Sequence, residues 1–256
     1  MIFDSHAHYN DSRFNEDRFS VLESMPGKNV GYIMNVADSM DSLEMVLELS
    51  RKYDFVWASV GVHPEAAGKL TENDIDILRE YAKNEKVKAI GEIGLDYYYD
   101  DVEKDVQKKW FARQIELAKE VDLPIIVHDR DAHGDCMDIL KASDAKSVGG
   151  ILHCFSGSRE RARDVLNLGM YIGIGGTLTF NNARKVREVA EYVPMERIVL
   201  ETDCPYLAPE PFRGKRNSSD LIQYVAEALA EIKGIQAEEV QRITLENAKK
   251  CYRIED

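Results

Sequence analysis

Two histidines stand near the start of the chain with one alanine between them. His6 and His8 follow the apolar pair Ile2-Phe3, which favours a strand. Residues i and i+2 of a strand lie on the same face, whereas on a helix the two rings would diverge. Both imidazoles can therefore converge on one object. Imidazole is a common ligand of zinc, manganese and iron, so the pair is a candidate metal-binding pair.

Further imidazoles and acids stand at or just after the ends of short apolar runs. They are His63 in GVHP, Glu92 in AIGEIGLD, His128 in IIVHD, His153 in ILHC and Asp203 in VLETD. His133 is the only histidine outside this pattern. A lone histidine in such a place is most often structural. Several nitrogen and oxygen ligands at one edge of a sheet, however, are too costly to bury without a purpose.

The number of these ligands indicates more than one cation. Two histidines at the start, two later histidines and two acids exceed the four ligands of one tetrahedral zinc. Two cations about 3.5–4 Å apart, bridged by a carboxylate, use all of them. Strand order places Glu92 between the two histidine groups, as the bridge. We predict one ion on His6, His8 and Asp203 and the other on His128 and His153.

Such a pair of cations predicts metal-assisted hydrolysis. Two metals lower the pKa of a shared water and neutralise charge that develops in an anionic transition state. A carboxylate beside that water can accept its proton as a general base. The predicted catalytic residues are therefore Asp203, as the base, and Glu92, as the bridge.

Cations and aromatic residues near the same strand ends are candidate substrate contacts. The loop APEPFRGKRNSS contains Arg213 and Lys215 and either binds phosphate or is a solvated surface loop. His63 either donates to a phosphate oxygen or leaving group, or only satisfies the turn that follows it. Tyr97 in LDYYYD either stacks on a nucleic-acid base or packs between sheet and helices.

Eight short runs rich in Val and Ile, separated by amphipathic stretches, predict alternating strands and helices. The predicted strands are Ile2–His6, Val30–Val36, Val56–Val62, Val87–Glu92, Pro124–His128, Gly150–Cys154, Tyr171–Ile174 and Ile198–Asp203. Over 256 residues this pattern predicts a (β/α)8 TIM barrel, as a single domain covering 1–256. A doubly wound open sheet is the alternative, but its glycine-rich phosphate motif does not follow the first strand.

The composition predicts a cytoplasmic protein that does not cross a membrane. The sequence shows neither a long apolar stretch nor a secretory signal. Four cysteines without a Cys-x-x-Cys pair are typical of reduced thiols. The net charge of −13 argues against a general affinity for nucleic acid. A phosphate ligand therefore needs local cations, either metal ions or a small basic patch. The sequence indicates no obligate protein partner.

The motifs together resemble the TatD family of metal-dependent deoxyribonucleases, within the amidohydrolase-like barrels. The blocks that carry the resemblance are DSHAHYN, GVHPE, AIGEIGLDYY, PIIVHDRDA, HCFSGS, YIGIGGTLTF and LETDCPYLAPEPFRGKRN, in the family's order. The resemblance implies a barrel of the metallo-dependent hydrolase type with two divalent metal ions. It also implies hydrolysis of DNA phosphodiester bonds, with 3′ to 5′ exonuclease action on single-stranded 3′ ends. It supports the same six ligands, and His63 as a substrate contact.

The sequence departs from the family in one place and leaves the metal and the substrate class open. Relatives often continue with Glu-Pro after RGKRN, where this chain has Ser218-Ser219. Zinc, manganese, magnesium and nickel all tolerate the proposed ligands. A second hypothesis is an amidohydrolase-like barrel that cleaves a small ester, lactone or amide. A third is a barrel that stores metal or acts as a scaffold without catalysis.

Overall fold

All eight predicted runs form strands, and these strands lie in one parallel sheet. The computed structural model describes residues 1–255. The strands are β1 Ile2–Ala7, β2 Val30–Val36, β3 Val56–Val60, β4 Val87–Asp96, β5 Ile125–Arg130, β6 Gly150–Leu152, β7 Tyr171–Ile174 and β8 Ile198–Leu200. Each strand pairs with the next one along the chain, in parallel at every interface.

Helices connect successive strands and cover the outside of the sheet. They are α1 Arg18–Ser24, α2 Leu43–Lys52, α3 Glu72–Tyr81, α4 Lys104–Glu120, α5 His133–Ala142, α6 Arg159–Asn167, α7 Arg184–Tyr192, α8 Ile222–Lys233 and α9 Ala237–Tyr252. Their apolar faces pack on the outward side chains of the strands, which form the larger of two hydrophobic clusters. Strands buried on both faces explain why the apolar runs of the sequence are continuous rather than alternating.

The sheet closes where β1 meets the chain that follows β8. Ala7 and Cys204 form a parallel bridge, and the Asp203 N–H donates to the His6 carbonyl at 2.9 Å. In a doubly wound sheet the order of the strands reverses partway across the sheet. Here the strands instead follow one another in chain order around a ring. The predicted (β/α)8 barrel is confirmed.

The strand ends differ from the prediction at the rim that carries the candidate ligands. The strands predicted to end at Val62, Cys154 and Asp203 are shorter. Cys154 has φ of 44° and Asp203 has φ of 55°, which an extended strand does not allow. By contrast β4 and β5 run further, to Asp96 and Arg130, because these two residues still pair across the sheet.

Apolar packing fills the inside of the barrel at the opposite end. Tyr252 from the last helix packs beside Phe3 of β1, with ring centroids 5.8 Å apart, and donates to the Ser5 carbonyl at 2.8 Å. Both residues belong to the inner hydrophobic cluster. The carboxyl end of the strands is therefore the open end, as in other barrel enzymes.

Two further expectations concern cysteines and membranes. All four cysteines are free thiols, as expected for a reduced chain. Across residues 1–255, every helix is too short or too polar to cross a bilayer.

Candidate metal centre

The six predicted ligands meet in one cavity at the open end of the barrel. The side chains that line it include His8, Glu92, His128, His153 and Asp203, and His6 lies fully buried beneath them. They come from β1, β4 and β5 and from the segments that directly follow β1, β6 and β8. The turns at Cys154 and Asp203 occur where β6 and β8 end, so the closed ring delivers residues from distant parts of the chain to one place.

One oxygen of Glu92 faces the first group of donors. Glu92 Oε2 lies 3.4 Å from Nε2 of His6 and 3.4 Å from Nε2 of His8, and these nitrogens are 3.0 Å apart. Asp203 Oδ1 lies 3.7 Å and 3.5 Å from the same nitrogens. Ligands of a tetrahedral cation with bonds of about 2.1 Å lie about 3.4 Å from one another. The four donor atoms therefore fit a divalent cation.

The other oxygen of Glu92 faces a second group. Glu92 Oε1 lies 2.7 Å from His153 Nε2 and 2.9 Å from His128 Nδ1. These two nitrogens are 3.2 Å apart. The spacing is tighter than in the first group, but the donor set of two imidazoles and a shared carboxylate is the same chemistry. The structure thus groups the donors into two sets that share Glu92.

Hydrogen bonds on the far side of His8 and His63 give these rings different roles. His8 Nδ1 donates to the Val36 carbonyl at 2.9 Å, so Nε2 of the neutral ring presents its lone pair to the cavity. His63 Nδ1 instead accepts from the Glu65 N–H at 3.2 Å. A neutral His63 therefore carries its proton on Nε2, which lies 3.7 Å from Glu92 Oε1. This arrangement suits a hydrogen-bond donor to substrate.

Two effects set the pKa values in the site. Burial disfavours the charged form of each group, and neighbouring groups of opposite charge favour it. Burial would raise the pKa of Glu92, but His153, His63 and His6 around it hold that pKa well below its usual range. Burial would lower the pKa of His128, but hydrogen bonds to Asp96 and Glu92 raise it to about 10. Burial, with the neighbouring His128, lowers the pKa of His63 to about 3. At neutral pH Glu92 is a carboxylate and His63 is neutral.

Asp96 is a further candidate functional residue, which the sequence alone does not single out. Its Oδ2 accepts from Nε2 of His128 at 2.9 Å, which orients the Nδ1 atom of that ring toward Glu92. A carboxylate behind a histidine is a common outer partner of a metal ligand. Asp96 is i+4 from Glu92 on β4, so strand periodicity places both on one face. This spacing is the sequence feature from which Asp96 could have been predicted.

Glu201 is a second missed acid, behind the first group of ligands. It is fully buried, and a donor atom on it lies within 4.8 Å of donors on His6 and His153. Burial raises its pKa to about 8, although His153 opposes the shift. Within residues 1–255, Glu201 Oε2 and the Nδ1 atoms of His6 and His153 have no hydrogen-bond partner. The rings of His6 and His153 stack with centroids 4.0 Å apart, and together with Glu201 they form the inner wall of the site.

The predicted substrate contacts lie at different distances from the cavity. Only His63 lines it. Arg213 stacks on Phe180, 4.2 Å from the ring centroid, and Lys215 lies beside Phe212 in the loop after β8. Tyr97 donates through its hydroxyl to Asp135 at 2.6 Å, on the α5 side. Their substrate roles stay predictions.

The fold and the two donor sets define a metal-dependent hydrolase. The family model described as TatD related DNase matches residues 3–253, and the chain belongs to the TatD family. An uncharacterized metal-dependent hydrolase, YabD of Bacillus subtilis, is 46% identical over 99% of this chain and 100% of its own length. YcfH of Escherichia coli K12, likewise an uncharacterized metal-dependent hydrolase, is 38% identical over 100% of this chain and 97% of its own.

A solved structure agrees with the same assignment. The crystal structure of YjjV, a TatD homologue from Escherichia coli K12, superimposes with a TM-score of 0.93 at 32% identity, and the match covers 99% of this chain and 98% of that one. The barrel and the family are therefore shown by both sequence and structure.

Proposed function

We propose that the protein hydrolyses DNA phosphodiester bonds with two divalent cations, as a 3′ to 5′ exodeoxyribonuclease. The observation that supports the two-cation centre is the position of Glu92, whose oxygens each face a separate set of imidazoles. A carboxylate shared in this way is the usual bridge of a two-metal site. The family's description as a DNase supports the substrate class.

Each side chain then has a defined task. His6, His8 and Asp203 would hold one cation, His128 and His153 the other, and Glu92 both. The cations supply an acidified water and neutralise charge on the phosphate. Asp203 lines the open cavity, and the carboxylate oxygen that it does not give to the cation would be free to accept a proton from the attacking water. The neutral His63 ring can donate a hydrogen bond from its Nε2–H to a phosphate or leaving-group oxygen.

The protonation states suit these tasks at neutral pH. Burial opposes ionisation of Asp203, but a hydrogen bond with His8 and the field of His153 lower its pKa. The carboxylate is thus ready to take a proton. The low pKa of His63 keeps the ring neutral at this pH, so its Nε2–H serves as a hydrogen-bond donor to an anion and not as an acid.

The test compares wild type with Glu92→Ala for bound metal and for release of label from 3′-labelled single-stranded DNA. We expect Glu92→Ala to lose both metal and activity, because both donor sets lose their shared ligand. Glu85→Ala is the matched control, since Glu85 is exposed on the turn before the same strand. Metal content is measured by elemental analysis of the purified proteins.

Three results would each contradict a different part of the proposal. Nuclease activity retained by Glu92→Ala would refute the bridging mechanism. Release of label from 5′ ends, or none from DNA but turnover of small esters, lactones or amides, would replace the substrate assignment. Bound metal without hydrolysis of any phosphodiester, across several cations, would indicate storage rather than catalysis.

A further inference from the structure

We propose that Arg130, which lines the cavity, and Tyr98, which stacks on it, form a binding platform for one nucleotide of a single strand. The guanidinium would take its phosphate and the exposed tyrosine ring its base. This inference rests on the proposed function, since it names how the same site holds its substrate. We call the two residues the Arg130–Tyr98 platform.

Charge is the first observation behind the platform. Five acids line the cavity, namely Asp38, Glu65, Glu92, Asp96 and Asp203, and Arg130 is the only lysine or arginine among the described lining residues. Cations in the two donor sets offset most of this negative charge. Arg130 then supplies a fixed positive charge beside the centre, where an anionic phosphate would otherwise be repelled by the acids of the rim.

The second observation is that the Arg130 side chain is not paired with an acid. Its guanidinium carbon lies 3.8 Å from the ring centroid of Tyr98, and across residues 1–255 it has neither a hydrogen-bond acceptor nor a carboxylate partner. Stacking fixes the plane of the guanidinium and leaves its N–H edge free. A guanidinium edge of this kind matches two oxygens of a phosphate.

The third observation is exposure of the aromatic rings. Tyr98 is 59% exposed and Tyr99 is 43% exposed, and their rings meet edge to face with centroids 4.8 Å apart. An exposed tyrosine ring can stack on any nucleobase whose face is free. Bases within a duplex have both faces covered, so the platform selects single strands or frayed ends.

The platform is also held in register with the metal centre. Asp96 Oδ1 accepts from the Tyr98 N–H at 2.9 Å and the Tyr99 N–H at 3.2 Å, while its Oδ2 accepts from His128. Arg130 pairs with Asp96 across β4 and β5. One carboxylate therefore positions both a candidate ligand and the platform, which fixes the spacing between the reacting phosphate and the neighbouring nucleotide.

The test measures binding separately from cleavage. A 5′-fluorescein single-stranded oligonucleotide with phosphorothioate linkages, which resist hydrolysis, is titrated with manganese-loaded protein and followed by anisotropy. We expect Arg130→Gln and Tyr98→Ala each to weaken binding about tenfold or more, and Arg130→Lys to restore only part of the loss. A blunt duplex of the same sequence should bind more weakly than the single strand.

Arg197→Gln is the matched control, because Arg197 also lies over a tyrosine, Tyr171, 5.2 Å from its ring centroid. Arg197 is at the opposite end of the barrel, just before β8. Binding within twofold of wild type in Arg130→Gln, or no binding by wild type, would overturn the platform. Binding that depends on Arg130 in a protein that does not cleave unmodified DNA would overturn the proposed nuclease function and leave the platform standing.

Discussion

Asp96 accepts a hydrogen bond from Nε2 of His128, at 2.9 Å, on the side of the ring that faces away from Glu92. Asp96→Asn keeps a carbonyl oxygen for the amides of Tyr98 and Tyr99 but replaces the acceptor that His128 needs. We expect metal affinity at the second donor set to fall by about 10- to 100-fold. Metal titration of the apoprotein followed by calorimetry measures this change.

A neighbouring acid provides the control for that substitution. Asp101 is exposed in the loop after β4, so Asp101→Asn should bind metal like wild type. Equal affinities of Asp96→Asn and wild type would show that His128 does not depend on its carboxylate partner.

Gly173 leaves the space that Glu201 occupies. A Cβ at Gly173 would collide with Glu201 Oε2, and the glutamate that would have to shift is fully buried. We expect Gly173→Ala to lower the free energy of unfolding by about 1–3 kcal/mol, measured by urea denaturation in EDTA. Gly134→Ala is the control, because a Cβ there meets no atom within 4 Å. A Gly173→Ala protein as stable as the control would show that the inner wall can rearrange.

His133 and Asp129 predict a pH-dependent contribution to stability. His133 Nδ1 donates to Asp129 Oδ2 at 2.7 Å, and this hydrogen bond raises the pKa of His133. A histidine pKa raised in the folded state stabilises fully below the unfolded value of about 6.5 and loses that effect as the pH rises through the folded pKa. His133→Gln should therefore cost up to about 1 kcal/mol at pH 5.5 and less at pH 9. Urea denaturation at both values gives the comparison, and equal costs would contradict the pairing.

Arg213 and Lys215 lie in the loop after β8, outside the cavity lining. If they act on DNA, they act through their charge at a distance. Neutralising both, as Arg213→Gln with Lys215→Gln, should reduce kcat/KM on single-stranded DNA by about two- to fivefold at low salt. The difference should shrink in 0.3 M salt because screening shortens the reach of charge. Steady-state kinetics at two salt concentrations tests this, and unchanged turnover at low salt would favour a small-molecule substrate.

The periodicity of apolar runs was enough to predict the barrel, since buried parallel strands have few other sequence patterns. The ends of the strands were not predictable at Cys154 and Asp203, because their positive φ values are set by the turns the rim requires. The six candidate ligands could be found because each stands at a predicted strand end. The structure brings them together around Glu92, and their role as metal ligands stays a prediction.

Residues that act through contacts made across strands were harder to find. Arg130 has no distinguishing local pattern, and its position depends on pairing with Asp96 and stacking on Tyr98. In the sequence Glu201 is one of two acids in VLETD, and nothing distinguishes it. Only the fold shows that it is buried close to His6. Conversely, the basic loop was conspicuous in the sequence, yet folding places its cations away from the cavity.

The seam of the barrel has a consequence for synthesis of the protein. His6 and Asp203 meet there through the hydrogen bond from the Asp203 N–H to the His6 carbonyl, although almost the whole chain separates them. A polypeptide still emerging from the ribosome, or one truncated before Asp203, lacks one side of the first donor set. A cation held by all four donors of that set would therefore require that translation has passed Asp203 and that the ring has closed.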